Sequence, residues 1–145
     1  MSGCSRRLLL AISLFAMAGI AVSSVSLYHH YGSSKTSYCD LGENFNCDIV
    51  NRSTYSTVLR IPVALIGIIG YLGLLALSTV YRSKAETPIL LLIASVAGLG
   101  FAIYLTYIEG FVLAAWCVLC LSSLALIFSV CVLSSLLVAR TARNA

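Results

Sequence analysis

Four long apolar runs without a charged side chain constrain this 145-residue chain more than any other feature. Each has about 20 residues, which at 1.5 Å rise per residue matches a hydrocarbon core roughly 30 Å thick. Because runs this continuous lack the alternation of a barrel strand, helices are expected. The predicted membrane-crossing helices are residues 8–27, 61–81, 88–108 and 117–139.

Composition agrees with a membrane protein. The chain is 60% hydrophobic and 10% charged, whereas soluble domains carry about 25% charged residues. The polar remainder is too short to enclose a second core. We therefore expect one domain over residues 1–145, an all-α four-helix transmembrane bundle. A signal peptide is the alternative for the first run, but its length exceeds the usual apolar region of about 7 to 15 residues, which favours retention.

The basic residues predict the orientation, because lysine and arginine collect on the cytoplasmic side of membranes. With four crossings, the two chain ends and the turn at 82–87 share one side, which carries six basic residues against one acidic residue. The other side carries three basic against four acidic residues. Both termini are therefore expected to be cytoplasmic. The net charge of +4 reflects this topology, and nucleic acid is not an expected partner.

The one extended loop, residues 28–60, is expected on the exoplasmic side. A short amphipathic helix is predicted after Cys47, capped by Asn46 or Asp48 and lying along the membrane surface. The turn between the third and fourth long helices begins at Glu109 or several residues later. Glu109 itself is expected to be a solvated charge, or else to mark the mouth of a ligand site.

Two cysteine pairs carry the chemical signal, and the predicted topology puts both on the oxidising side. Cys117 and Cys120 are three residues apart at a helix N-terminus, where one thiol tends to have a lowered pKa and to exchange readily. Cys39 and Cys47 are eight residues apart in the loop, a spacing that closes easily into a disulfide. Together the pairs predict a thiol redox relay.

Three alternatives stay open for these cysteines. They are static disulfides in a small structural membrane protein, a four-cysteine zinc site, and a small transporter or metal carrier. Zinc sites usually present two short-spaced pairs, and a transporter would be expected to carry intramembrane charges, which the four runs lack. No metal is therefore expected. Cys131 is predicted to be packing and Cys4 a cytoplasmic thiol.

The ordered set of motifs resembles the vitamin K epoxide reductase family, specifically its bacterial disulfide-forming members. The likeness covers most of the chain from residue 39 onward. The matching residues are Cys39-Asp40-Leu41-Gly42, Cys47, Ser53, Pro62, Gly67, Tyr71 and Cys117-Val118-Leu119-Cys120.

The resemblance implies a thiol:quinone oxidoreductase in a bacterial inner membrane that supports disulfide bond formation. A thioredoxin-like partner, supplied as a separate protein, would reduce the disulfide between Cys39 and Cys47. Cys47 would then exchange with Cys117, and Cys120 would pass the electrons to ubiquinone, menaquinone or phylloquinone. Ser53 matches a supporting serine near the quinone head group.

Two positions depart from the relatives that act on vitamin K. Those relatives carry a tyrosine four residues after the last motif cysteine and an asparagine near the start of the second long helix. Here the positions hold Leu124 and Val63. Quinone reduction is therefore expected, with reduction of a vitamin K epoxide as the alternative.

Overall fold

Four helices of 17 or more residues make up most of the chain. The computed structural model describes residues 3–32, 42 and 45–145. The helices and strands in chain order are α1 Gly3–Tyr31, α2 Cys47–Arg52, β1 Thr57–Val58, β2 Ile61–Pro62, α3 Val63–Thr79, α4 Thr87–Ile108 and α5 Val118–Arg143. A 3-10 turn at Thr54–Ser56 and a π-helical turn at Glu109–Leu113 complete the elements of the described residues.

Three of the long helices are long and apolar enough to cross a membrane. They are α1, α4 extended by the π-helical turn, and α5. The fourth, α3, is apolar but has 17 residues. The helical prediction is thus confirmed, and three of the four predicted crossings meet the length and hydropathy expected of a spanning helix.

The long helices pack into a bundle around one apolar core. α1 packs against α3 and α5, and α4 packs mainly against α5. The hydroxyls of Ser13 and Ser78, 2.9 Å apart, join α1 to α3 by a hydrogen bond. The buried side chains of this core are Leu9, Ile12, Ala16, Tyr71, Leu74, Leu91, Ile127, Val130 and Leu137.

The start of α1 and the end of α5 lie at the same end of the bundle. The guanidinium of Arg140 donates a hydrogen bond to the sulfur of Cys4 at 2.6 Å, which joins the end of α5 to the start of α1. Since consecutive long helices run in opposite directions, the turn at 80–86 is at this end too. The α2 segment and the turn after α4 therefore lie at the opposite end.

A two-residue hairpin delays the start of α3. Thr57 pairs with Pro62 and Val58 with Ile61, and the two residues between them have positive φ angles, 52° at Leu59 and 69° at Arg60. Such hairpin turns favour Asn-Gly sequences, so Leu-Arg gave no turn signal. The second predicted helix therefore begins at 63 and not at 61.

Gly19 lets α1 accept the ring of Tyr71 from α3. A Cβ added at Gly19 would collide with that ring, which is buried in the bundle core. The ring or α1 itself would have to shift to make room for such a Cβ.

Replacing Gly19 by alanine should destabilise the protein by about 1–3 kcal/mol, the usual cost of overpacking a core. The matched control is Gly73→Ala, because a Cβ added at Gly73 has no neighbour within 4 Å. Thermal unfolding of the purified proteins in detergent should show a lower midpoint for Gly19→Ala and an unchanged or raised midpoint for Gly73→Ala. Equal midpoints for the two variants would contradict the close packing of α1 on Tyr71.

Candidate active site

A short backbone pairing brings the loop cysteine to the helical pair. Phe45 and Trp116 form a parallel β-bridge, and the amide of Asn46 donates to the Trp116 carbonyl at 3.1 Å. The residues that precede Cys47 therefore run beside those that precede Cys117. Both cysteines are 0% exposed, and a hydrogen bond joins their side chains.

Cys47 and Cys117 belong to a second, smaller buried cluster, separate from the bundle core, at the loop end of the bundle. Cys47 and Cys117 are buried together with Val50 and Ala115, and Cys120 packs against this cluster. The structure brings together three of the four predicted site cysteines, Cys47, Cys117 and Cys120. Their redox role stays a prediction. Cys39 lies outside the described residues.

Cys47 is the first residue of helix α2, and contacts at both ends of this helix hold it in place. The side-chain oxygen of Asn46 accepts a hydrogen bond from the amide of Ile49 at 3.2 Å, the capping role predicted for it. At the other end of α2, the guanidinium of Arg52 donates to the Gly32 carbonyl at 2.8 Å, which fastens α2 to the end of α1. Its placement along a membrane surface stays a prediction.

The turn between α4 and α5 positions Cys117. The chain leaves the π-helical turn at Ala114, whose φ is 50°, so the later of the two predicted turn positions is right. Cys117 has extended backbone angles and caps α5, which begins at Val118. The predicted helix therefore starts one residue early, and Cys117 is free to point toward Cys47 while Cys120 lies in the first turn of α5.

The surroundings of Cys117 keep its thiol neutral. The hydrogen bond with Cys120 raises the pKa of the Cys117 thiol well above its usual range; the contact with Cys47 acts in the opposite direction and burial adds to the rise. The lowered pKa expected for a thiol of this pair does not occur at Cys117, because the described groups that act on it are the thiols of Cys120 and Cys47.

Cys120 lines a cavity inside the bundle. The cavity has a volume of about 380 Å³, within the range of small-molecule sites. All four long helices contribute to its mostly apolar wall, and Cys117 is not part of it. Its polar side chains are those of Ser23, Ser26, His30, Ser53, Tyr55, Ser56, Tyr71, Glu109, Cys120 and Ser123.

One hydrogen bond across the cavity joins α3 to α5. The hydroxyl of Tyr71 lies 3.0 Å from both the hydroxyl and the carbonyl oxygen of Ser123. Ser123 was not predicted as a site residue. Its spacing from Cys120, three residues on one helix, is the signal that would have found it, because such residues share a helix face.

Glu109 is buried at 2% exposure, so the expectation of a solvated charge is wrong. The Cys117 amide donates to its Oε2 at 3.2 Å, and its carboxyl group lies beside the Cys120 thiol. Because the π-helical turn continues past α4, Glu109 faces inward and does not mark the end of a helix. It lines the cavity, in line with the alternative prediction of a ligand mouth.

Ser53 borders the same cavity from the loop. Its hydroxyl is half-buried and donates to the Val50 carbonyl at 2.8 Å. Cys131 lies farther along α5, outside the cavity lining, and Cys4 is exposed at the opposite end of the bundle. Within residues 3–32, 42 and 45–145, no three His, Cys, Asp or Glu side chains are arranged to hold a metal ion.

Most of the chain matches the model of one protein family. Residues 10–135 match the model described as the Vitamin K epoxide reductase family. No individual curated protein matches the chain significantly. The family match, together with the three long apolar helices, identifies an integral membrane oxidoreductase of quinone and disulfide chemistry.

Removing the Cys120 thiol should make Cys117 more reactive. Because the hydrogen bond with Cys120 is the largest cause of the raised pKa, Cys120→Ala should lower the pKa of Cys117 and increase its thiolate fraction at a given pH. Alkylation of reduced protein by iodoacetamide, quantified for each cysteine by mass spectrometry, should shift to lower pH at Cys117. Cys131→Ala is the control and should leave the profile unchanged. A Cys117 profile that stays in place in Cys120→Ala contradicts this assignment.

Proposed function

Because the chain belongs to the vitamin K epoxide reductase family, we propose that it oxidises a thioredoxin-like protein and reduces a membrane quinone. The product of the first reaction is a partner able to form disulfide bonds in other proteins. The observation that carries the proposal is the continuous line of sulfur contacts from Cys47 through Cys117 to Cys120, with Cys120 on the wall of the cavity.

The first exchange takes place at the loop. The two thiols of the partner reduce the disulfide between Cys39 and Cys47, so that the partner gains a disulfide and the loop gains two thiols. The sulfur of Cys47 then attacks Cys117 in the disulfide between Cys117 and Cys120, and Cys120 leaves as a thiol. Attack of Cys39 on Cys47 restores the loop disulfide and releases the Cys117 thiol. The contact between Cys47 and Cys117 supports this order.

The second reaction takes place in the cavity. The thiols of Cys117 and Cys120 give two electrons and two protons to a quinone, which yields a hydroquinone and the disulfide between the two cysteines. An apolar cavity within the bundle suits a substrate dissolved in lipid, while the partner's thiols are in water. Cys120 links the cavity to the loop cysteines, because it borders the cavity and forms a hydrogen bond with Cys117.

The polar groups of the cavity suit the two oxygens of a quinone. The hydroxyls of Tyr71 and Ser123 lie on its α3 and α5 walls, and Ser53 borders it from the loop. A hydroxyl can donate to a carbonyl oxygen of the quinone and accept from the hydroquinone. A quinone is favoured over a vitamin K epoxide because Leu124 and Val63 replace the polar residues of the relatives that act on the epoxide.

The proposed orientation puts this site on the exoplasmic side of a bacterial inner membrane. The end of the bundle with both termini also carries Arg82 and Lys84, and the excess of basic residues there fits the cytoplasmic side. We propose α3 as the fourth crossing, since 17 residues lie at the lower limit of a spanning helix. The thioredoxin-like partner is then an exoplasmic protein.

Purified protein in lipid nanodiscs should consume quinone when it is supplied with a reduced thioredoxin-like protein and ubiquinone-1 or menadione. The change in quinone absorbance gives the rate. Cys47→Ser, Cys117→Ser and Cys120→Ser should each reduce the rate to that of the mixture without protein, because each breaks the line of sulfurs.

Cys131→Ser is the matched control for this assay, since Cys131 is a half-buried thiol of the same helix and lies outside the cavity lining. It should retain the wild-type rate. Absence of quinone consumption by the wild type, or an equal rate in Cys120→Ser, overturns the proposed function.

A further inference from the structure

Glu109 is a buried acid placed among reactive thiols. Its backbone is fixed on both sides, since its amide donates to the carbonyls of Leu105 and Thr106 and its carbonyl accepts from the amide of Ala115 at 3.1 Å. Gly110, the next residue, allows Trp116 to pack closely over the turn, with a Cβ at Gly110 lying only 3.0 Å from the indole. The carboxyl group therefore has a defined position.

The carboxyl group has one occupied and one available oxygen. Oε2 accepts from the amide of Cys117 at 3.2 Å, while Oε1 is buried and has no hydrogen-bond partner within the described part of the chain. Burying a carboxyl group without full hydrogen bonding costs stability, so a structural role alone gives no reason to place it here. The nearest reactive group is the Cys120 thiol.

No basic side chain of the described residues forms an ion pair with Glu109, so charge pairing does not explain its burial either. The titratable groups that touch it or line the same cavity come from every surrounding element. They are Cys117 before α5, Cys120 on α5, His30 on α1, Tyr55 in the 3-10 turn and Tyr71 on α3, with Cys47 of α2 behind Cys117.

We propose that Glu109 is a catalytic residue that accepts the proton of the Cys120 thiol when the Cys117 and Cys120 dithiol reduces the quinone. The inference rests on the proposed function and adds a proton acceptor to it. The carboxyl group of Glu109 contacts the Cys120 thiol and also lines the cavity. It can therefore reach both the thiol and the oxygens of a quinone bound there.

The oxidation of the two thiols supplies the two electrons and two protons that a quinone takes up. The S–H bonds of Cys117 and Cys120 break, the S–S bond between them forms, and the released electron pair reduces the quinone. Each thiol gives up one proton, and each quinone oxygen takes up one. Glu109 holds the Cys120 proton after it leaves sulfur and before it reaches the quinone oxygen, and so ends the step in the protonation state in which it began.

Glu109→Gln tests the role, because glutamine keeps the shape and an oxygen for the Cys117 amide but takes up no proton. Prereduced full-length protein in nanodiscs is mixed with excess ubiquinone-1, and a single turnover is followed by quinone absorbance from pH 6 to pH 9. General acid–base catalysis contributes about 10²–10⁴-fold, so the variant should be slower by at least about 100-fold at pH 7. Its rate should also rise more steeply with pH than that of the wild type, because hydroxide must now take the proton.

Glu86→Gln is the matched control, an exposed acid at the other end of α4, and it should keep the wild-type rate and profile. Trp116 is the single tryptophan of the chain and packs on the turn beside Glu109, so its emission reports the fold of each variant. If Glu109→Gln loses the folded emission, Glu109→Asp decides, because it retains a carboxyl group and should keep the wild-type pH profile at a reduced rate.

The outcomes separate this inference from the proposed function. If the wild type reduces quinone and Glu109→Gln does so equally fast, the role of Glu109 is overturned and the proposed function is not. A folded Glu109→Gln that is slow but follows the wild-type pH profile also overturns it, since a merely structural loss would not change the pH dependence. A wild type that does not reduce ubiquinone-1 overturns both.

Discussion

The pairing of Phe45 and Asn46 with Trp116 is the interaction on which the site depends. It is a single β-bridge with one backbone hydrogen bond, yet it aligns the chain so that Cys47 and Cys117 are buried against each other. Thiol exchange requires direct approach of sulfur to sulfur, so the proposed order of exchange depends on this backbone geometry. Cys47 is held by α2, whose start is capped by Asn46 and whose end is fastened to α1 by Arg52. Cys117 is held by the π-helical turn after α4.

The bundle separates two environments that the chemistry needs. Cys47 and Cys117 lie in a small cluster at the loop end, whereas Cys120 borders an apolar cavity between the long helices. In the proposed function, the two thiols of this Cys-x-x-Cys pair therefore have different partners: Cys117 exchanges with the loop cysteine and Cys120 reacts with the quinone. Close packing of α1 on the ring of Tyr71 at Gly19 fixes one wall of the cavity, because that tyrosine also bonds to Ser123. A packing defect at Gly19 would thus alter the wall of the cavity.

The helices were predictable from sequence because uncharged runs are local signals. The cysteine spacing and the predicted topology led to the hypothesis that the two pairs meet, and the structure does place Cys47 in one cluster with Cys117 and Cys120. The details that shape the site were not predictable. Leu59 and Arg60 adopt positive φ in a hairpin whose residues carry no turn signal, and this moves the start of α3 to Val63. Glu109 follows an apolar helix, where an acid ordinarily marks the exit to water. The π-helical turn that places it inward has no signal in the sequence. The pKa of Cys117 is raised by neighbours that sequence does not place around it.

The proposed relay requires that Cys47 exchange directly with Cys117, and trapping of that intermediate is the most direct test. In Cys39→Ser, the Cys47 thiol should attack Cys117 of the oxidised pair and remain bound to it, because Cys39, which resolves this bond, is missing. The variant is purified without reductant, alkylated and digested, and its disulfide-linked peptides are identified by mass spectrometry. The expected result is a peptide pair joined through Cys47 and Cys117 and a newly alkylated Cys120. A disulfide found only between Cys117 and Cys120, with Cys47 alkylated as a thiol, would contradict direct exchange.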